Sequence, residues 1–495
     1  MLTDIEQSRL SVSKAADPKR KARLGQYFTP ASIARFMAGL FDDTPTRRCR
    51  LLDAGAGIGS LSAAFIDRWN DGDFRFKETI VDAFETDDLL LPHLRRSYDR
   101  YRQSTKLETN IHGEDFIHAA TGSLMGDMFS PALPVYTHAI LNPPYKKIRS
   151  DSAHRYALRQ IGLETVNLYS AFVGLSLSLL KANGQLVAIV PRSFCNGPYY
   201  RPFRKYILER ASIRHIHLFT SRSKAFKDDG VLQENVIVRL DRGCRQGVVT
   251  ISTSTDDRFS DVKSFDYPFD RIVLSDDPER FIHIPISPKK SIIDMSPAIG
   301  STLADIGVNV STGPVVDFRL KKYLSMSPEP GAIPLLYPGH FGPQGIKWPR
   351  SDIKKPNAIL KNADTEKWFY PNGFYCVVRR FSSKEEKRRI VAHVVEPHVF
   401  DGATDLGFEN HLNVFHNNRQ GLSRELAMGL SIYLNTTAVD EHFRLFNGHT
   451  QVNATDLRLM KYPCRDVLKR LGAWALEKNR ISQSSIDEQL RILTQ

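Results

Sequence analysis

Cysteine is scarce in this chain and follows no pairing pattern. Five occur in 495 residues (Cys49, Cys195, Cys244, Cys376, Cys464), an odd number with no C-x-x-C pair. That excludes a disulfide framework and a cysteine-based structural zinc site. Long apolar runs are also missing. The longest, around Leu175–Val190, is broken by Lys181, Asn183 and Gly184, so no membrane span is expected. The N-terminus, Met-Leu-Thr-Asp-Ile-Glu, soon turns basic and carries no signal-peptide core, which points to a reducing cytoplasm. The 15 histidines, His215 and His217 among them, lack ligand spacing with acids or cysteines, so no metal is expected. No acidic nuclease constellation stands out.

What is present is an ordinary globular composition, 41% hydrophobic and 25% charged, in a chain long enough for two or three domains. The net charge of +13 favours a polyanionic partner, because neutralising phosphates releases condensed counterions. A dispersed basic charge also serves solubility, so charge alone leaves the partner open.

Between Arg50 and Leu240 short aliphatic segments alternate with amphipathic ones. Strands are expected at Arg50–Ala54, Thr79–Glu85, Thr109–His112, His138–Leu141, Gln185–Val190, Ile213–Phe219 and Asn235–Leu240. Helices are expected at Leu61–Trp69, Leu168–Lys181 and Arg201–Arg210. The alternation predicts an α/β domain with a doubly wound parallel sheet. The last two strands are expected to form an antiparallel hairpin at the sheet edge, with Ser221–Glu234 as its loop. A helix should precede the first strand, capped by Thr29, with Pro30 in its first turn and Ile33, Phe36, Met37, Leu40 and Phe41 on one face. Residues 246–283, rich in Ser, Thr and Asp at their start, read as a linker or edge region. Residues 284–495, with short irregular apolar runs, read as a second, mixed α+β domain ending in a helix near Ser482–Leu493.

Three motifs carry chemistry. In Asp53-Ala54-Gly55-Ala56-Gly57-Ile58-Gly59 an apolar strand runs into glycines at alternate positions that open a helix. Such loops let a nucleoside cofactor approach the backbone at the carboxyl ends of the strands. The G-x-G-x-G spacing, with Asp53 before the loop where it could meet an ammonium group, favours S-adenosylmethionine over a dinucleotide. Glu85, ending the next strand, can accept both ribose hydroxyls. Asp115 can accept from the adenine amino group and Phe116 can stack on the ring, although a helix cap followed by a core phenylalanine explains that pair equally well. The third motif, Asn142-Pro143-Pro144-Tyr145, follows an apolar strand. Two prolines stiffen the turn and remove two donors. The Asn142 side-chain carbonyl and the Pro143 backbone carbonyl can then accept both hydrogens of one planar amine, freeing its lone pair for a methyl sulfonium. Tyr145 offers an aromatic face to a base taken out of its stack.

The order Gly25-Gln26-Tyr27-Phe28-Thr29-Pro30, Asp53–Gly59, Glu85, Asp115-Phe116, Asn142–Tyr145 resembles the γ class of N6-adenine DNA methyltransferases. The stretch from Gly59 to Asn142 has no room for the inserted recognition domain of the α class. The resemblance implies a Rossmann-like class I methyltransferase domain over residues 1–245. It also implies that Gln26, Tyr27, Phe28 and Thr29 border the cofactor, with Thr29 on its methionine carboxylate. Phe226, in Ala225-Phe226-Lys227, is implied to pack on the flipped adenine opposite Tyr145. Asn167-Leu168-Tyr169 and Gly184–Pro191 resemble framework near the pocket.

In the second half Leu335–Phe341, Asn410–Val414 and Asn447–Asn453 resemble target-recognition domains of type II modification enzymes, PstI/BsuBI-like methylases in particular. The implied biology is modification of double-stranded DNA, at a site such as CTGCAG, by a monomer whose cognate restriction endonuclease shares the DNA site without needing to bind the methyltransferase. Arg, Asn, Gln and His on loops suit major-groove reading, and the basic stretches Arg319–Lys322 and Lys384–Arg389 could hold phosphates. A protein glutamine methyltransferase, an RNA amino-group methyltransferase and a catalytically silent DNA-binding protein remain as alternatives.

Overall fold

The aliphatic blocks of the first half become the centre of one twisted sheet. The structure, a computed structural model, describes residues 2–494 apart from 16, 102–105, 129, 221–233, 287–291, 344, 384 and 448–449. The chain divides into two units, Met1–Pro288 and Lys289–Gln495.

In the first unit the strands are β1 (Arg48–Ala54), β2 (Glu78–Phe84), β3 (Leu107–His112), β4 (Tyr136–Leu141), β5 (Leu180–Pro191), β6 (Ala211–Phe219), β7 (Asn235–Arg242), β8 (Val249–Ser254) and β9 (Lys263–Tyr267). They lie in the order β3-β2-β1-β4-β5-β7-β6-β8-β9. β1 to β5 are parallel and β7 runs antiparallel between β5 and β6. This is the expected Rossmann-like arrangement. Chain order reverses between β1 and β4, which pair through Leu51–His138 and Leu52–Ala139. A crevice opens at the carboxyl ends of strands that flank such a reversal. Both the glycine loop and the Asn-Pro-Pro turn leave the sheet there.

Two expectations change. The β6–β7 hairpin is internal, because residues read as a linker supply β8 and β9 beyond it. Val249, Ile251 and Tyr267 are buried, and Phe259, after β8, stacks on Phe36 with ring centroids 4.2 Å apart. Thr29 does not cap the helix Ala31–Gly39. Pro30 takes the cap position without a side-chain bond, leaving the Thr29 hydroxyl to another partner. On that helix Ile33 and Met37 are fully buried, as is Phe41 just beyond it.

The second unit is mixed α+β. A four-stranded sheet, including Tyr375–Arg379 and Leu412–His416, and a five-stranded one, including Ala332–Leu336 and Asp405–Phe408, share a core of Leu336, Tyr375, Val377, Phe408 and Val414. Helices follow, the last being Gln483–Thr494. Helices Arg424–Leu434 and Arg465–Leu476 touch at glycines. A Cβ on Gly429 would lie 1.8 Å from the Leu468 carbonyl oxygen, and one on Gly472 would lie 1.9 Å from that of Glu425. No helix among the described residues is long and apolar enough to cross a membrane.

Candidate active site

Asn142 follows β4 and turns over the end of the sheet. Its amide nitrogen donates to the Tyr27 carbonyl and to the Thr29 hydroxyl, both at 3.0 Å. Its Oδ1 is buried and has no hydrogen-bond partner. A carbonyl can only accept, so the Tyr27 contact fixes which end of the carboxamide faces which way. Tyr145 is tied down at both ends: its backbone N–H donates to the Gly25 carbonyl at 3.1 Å and its hydroxyl to the Ile189 carbonyl at 3.3 Å. Its ring lies 5.3 Å from that of Tyr27. Burial pushes the phenol pKa up, so Tyr145 is a neutral platform.

One cavity gathers most of the expected cofactor residues. Gln26, Tyr27, Phe28, Gly55, Gly57, Glu85, Asp115, Phe116, Asn142 and Pro144 all line it. Gly55, Gly57 and Gly59 have φ of 79°, 58° and 86°, a left-handed run that side chains resist. The run turns the Gly57 N–H onto Glu85 Oε2 at 2.8 Å. Glu85 Oε1 accepts from the Asp87 N–H at 2.7 Å. Burial raises the Glu85 pKa against these amides, and each oxygen retains a lone pair for a hydroxyl. Asp115 proves to be both helix cap and wall. Its Oδ1 accepts from Ile117 and His118 N–H while Oδ2 meets His154 Nε2 at 3.0 Å. Burial alone would raise the Asp115 carboxyl, but the His154 hydrogen bond and charge hold it below the usual range.

Several expected residues stand elsewhere. Thr29, Asp53, Gly59, Pro143 and Tyr145 are not on the cavity wall. Asp53 lies fully buried beneath the loop, with Oδ2 accepting from the Ser62 N–H at 3.3 Å and Oδ1 unpartnered. Burial pushes its pKa up to about 7. Its position therefore gives no direct contact with a ligand in the cavity. Pro143 is buried behind the turn. Phe226 lies outside the described residues.

The sequence did not flag Phe172, Lys146, His154 or Asp87. Phe172 lines the cavity 5.1 Å from the Phe116 ring. Only its place one turn beyond Asn167-Leu168-Tyr169 hinted at it. Asp87 accepts from Gln26 Nε2 at 3.0 Å and pairs with Arg20 at 2.5 Å, latching the N-terminal segment over the cavity. Asp115, His118 and His154 bring three ligand-type atoms within 4.8 Å of one another, a grouping their spacing concealed. Helix capping and the Asp115–His154 bond explain it without an ion.

A family profile described as "Eco57I restriction-modification methylase" matches residues 101–226. Type II methyltransferase M.BsuBI of Bacillus subtilis is 49% identical over 500 residues, covering 100% of this chain and 98% of the relative. Type II methyltransferase M.PstI of Providencia stuartii is 40% identical, covering 98% and 95%. The chain belongs to the type II methyltransferases of restriction-modification systems. It is a DNA methyltransferase, and its methyl donor is S-adenosylmethionine. A cryoEM structure titled as a DrdV–DNA complex shares the fold, with TM-score 0.54 and 14% identity over 93% of this chain and 58% of that one. The cavity fits the methyltransferase's donor: Phe28, Phe116 and Phe172 supply an apolar slot, Glu85 and Asp115 supply acceptors, and the unpartnered Asn142 Oδ1 stands beside them.

Other expected roles in the second unit become structural. Arg389 is buried, donating through its side chain to Ser382 and Asn447, and Arg388 binds the Asn435 carbonyl. Arg389 is therefore not placed to hold a phosphate, while Lys387 in the same stretch is exposed. Asn413 and Asn447 are also buried, donating to the Val452 and Gln451 carbonyls. Arg319, Lys321 and Lys322 remain exposed.

Proposed function

We propose that the enzyme methylates N6 of adenine in duplex DNA, acting as a cytoplasmic monomer beside a cognate endonuclease. The observation that carries this reading is the buried, unpartnered Asn142 Oδ1, whose amide nitrogen is committed to Tyr27 and Thr29. An acceptor that is desolvated but unpaired is costly, and an amine hydrogen relieves that cost. Pro143 supplies the second carbonyl. Together they hold the amine so that its lone pair is drawn out of conjugation with the ring. When bound, S-adenosylmethionine supplies an electrophilic methyl group. The neutral amine is the nucleophile, so no base is required before attack, and the proton leaves to water afterwards. Tyr145 stacks on the extruded base, with Phe226 as the second face.

Cytosine C5 methylation would need a thiol nucleophile, and no described cysteine lines the cavity. The long basic C-terminal half and the Gln26–Pro30 segment favour DNA over protein or RNA. Glu85 takes the ribose, while Asp115 and Phe116 take the cofactor's adenine. Thr29 orients Asn142 and borders the methionine end, and residues 284–495 read the DNA target. The test is mass spectrometry of nucleosides from methylated DNA. N6-methyladenine is expected; N4-methylcytosine would overturn the adenine reading, and transfer to RNA or protein instead of DNA would overturn the substrate.

A further inference from the structure

The second unit has its own pocket, of about 280 Å³, lined by Tyr337, Lys355, Arg379, Phe381, Glu409 and His411 among others. One buried water needs on the order of 10–15 Å³, so this hollow can admit part of a larger group. Two of its lining residues carry buried donors with no partner, Tyr337 Oη and Arg379 Nε, although the Arg379 guanidinium is also paired through its Nη2 with Glu386. Unpaired buried donors are uncommon in folded proteins and call for an acceptor. Lys355 adds an ammonium, 5.1 Å from the Tyr337 ring centre and bound to Asp317 at 2.9 Å. Phe381 is 38% exposed, and its ring stands 5.0 Å from that of His411. Glu409, fully buried, accepts from the His411 backbone N–H at 2.9 Å and holds His411 Nδ1 at 2.6 Å. The imidazole is thereby fixed with Nε2 as its remaining polar atom.

We infer that this pocket receives the major-groove edge of a guanine in the target site, making Tyr337, Arg379 and His411 specificity-determining residues. The inference rests on reading the second unit as the target-recognition domain. The unpaired donors demand acceptors, and guanine is the base whose major-groove edge offers two, N7 and O6. The buried carboxylate of Glu409 sets the pocket against a phosphate.

Tyr337→Phe isolates the claim. It removes only an unpartnered hydroxyl, so thermal stability should hold or rise. The wild-type site is first read by sequencing methylated bases in DNA from cells expressing the chain. On that site Tyr337→Phe should lower kcat/KM for methyl transfer about 10- to 100-fold and relax discrimination at one G·C pair. Duplexes carrying 7-deazaguanine at each guanine in turn should lose rate at that same position with wild type, and lose little more with Tyr337→Phe. Unchanged specificity in Tyr337→Phe, or full rate on every deaza duplex, overturns the inference. So does uniform weakening across all sequences with a reduced salt slope, which marks a phosphate contact. If wild type methylates DNA at no defined site, it is the reading of the second unit that fails.

Discussion

The Asn142 amide nitrogen sits 3.0 Å from the Thr29 hydroxyl, across 113 residues of chain, and this contact helps hold the carboxamide with its oxygen unpaired. Asn142→Ala should lower kcat on DNA about 10²- to 10³-fold, as loss of an oriented transition-state contact does. Calorimetry should find S-adenosylmethionine affinity within about twofold of wild type. Near-normal turnover would remove Asn142 from the chemistry.

Thr29→Val separates two roles for one hydroxyl. If it acts through Asn142, kcat should fall about fivefold, the worth of one ordinary hydrogen bond, with cofactor Kd unchanged. A rise in Kd with kcat preserved would instead place Thr29 on the methionine carboxylate.

Gly57→Val should abolish cofactor binding. Valine resists the φ of 58° that turns the Gly57 N–H to Glu85, and its side chain would occupy the cavity wall. Titration calorimetry should show no heat, while circular dichroism still reports a folded chain. Normal affinity would move the cofactor away from this loop.

Asp53 makes stability depend on pH. Its carboxyl is held near 7 when folded but titrates at about 3.9 when unfolded, so the native state binds the extra proton between those values. Its stabilising contribution is present below about pH 4 and lost as pH climbs through 7. Asp53→Asn should flatten the fall in Tm over that window. Identical Tm profiles for the two proteins would show that the buried carboxyl ionises normally.

Gly472→Ala should destabilise the second unit by about 3 kcal/mol or more, because the new methyl meets the Glu425 backbone and two helices must part. Denaturant melts of the intact chain should show the loss. A shift below about 0.5 kcal/mol would mean that the crossing can relax.

Much of the first unit was legible because its central strands are buried on both faces and so read as unbroken apolar runs. The glycine loop and Asn142–Tyr145 were legible for a related reason: each follows such a run directly. Strands toward the sheet edge gave a weaker signal. Val249 and Ile251 alternate with Thr250 and Ser252, a pattern that mimics a polar linker until Phe259 is seen on Phe36. The partner of the Thr29 hydroxyl was equally hidden, since a local cap and a distant carboxamide require the same residue. In the second unit, Asn413 and Asn447 have the composition of base readers and Arg389 that of a phosphate contact, but all three spend their hydrogen bonds on buried backbone and side chains. Composition reports which polar groups exist and is silent on which face inward.

The latch from Gln26 and Arg20 onto Asp87 has a practical consequence for anyone trimming this enzyme. A shortened chain beginning after Thr29 would keep every strand, the glycine turn and the proline turn. It would lose the near side of the donor's berth and both acceptors that stop the Asn142 carboxamide from swivelling. It would also lose the helices Leu2–Ala15, with Leu2 and Ile5 buried in the core, and Pro18–Leu24. Such a fragment should be less stable than the whole chain as well as inert in a methylation assay.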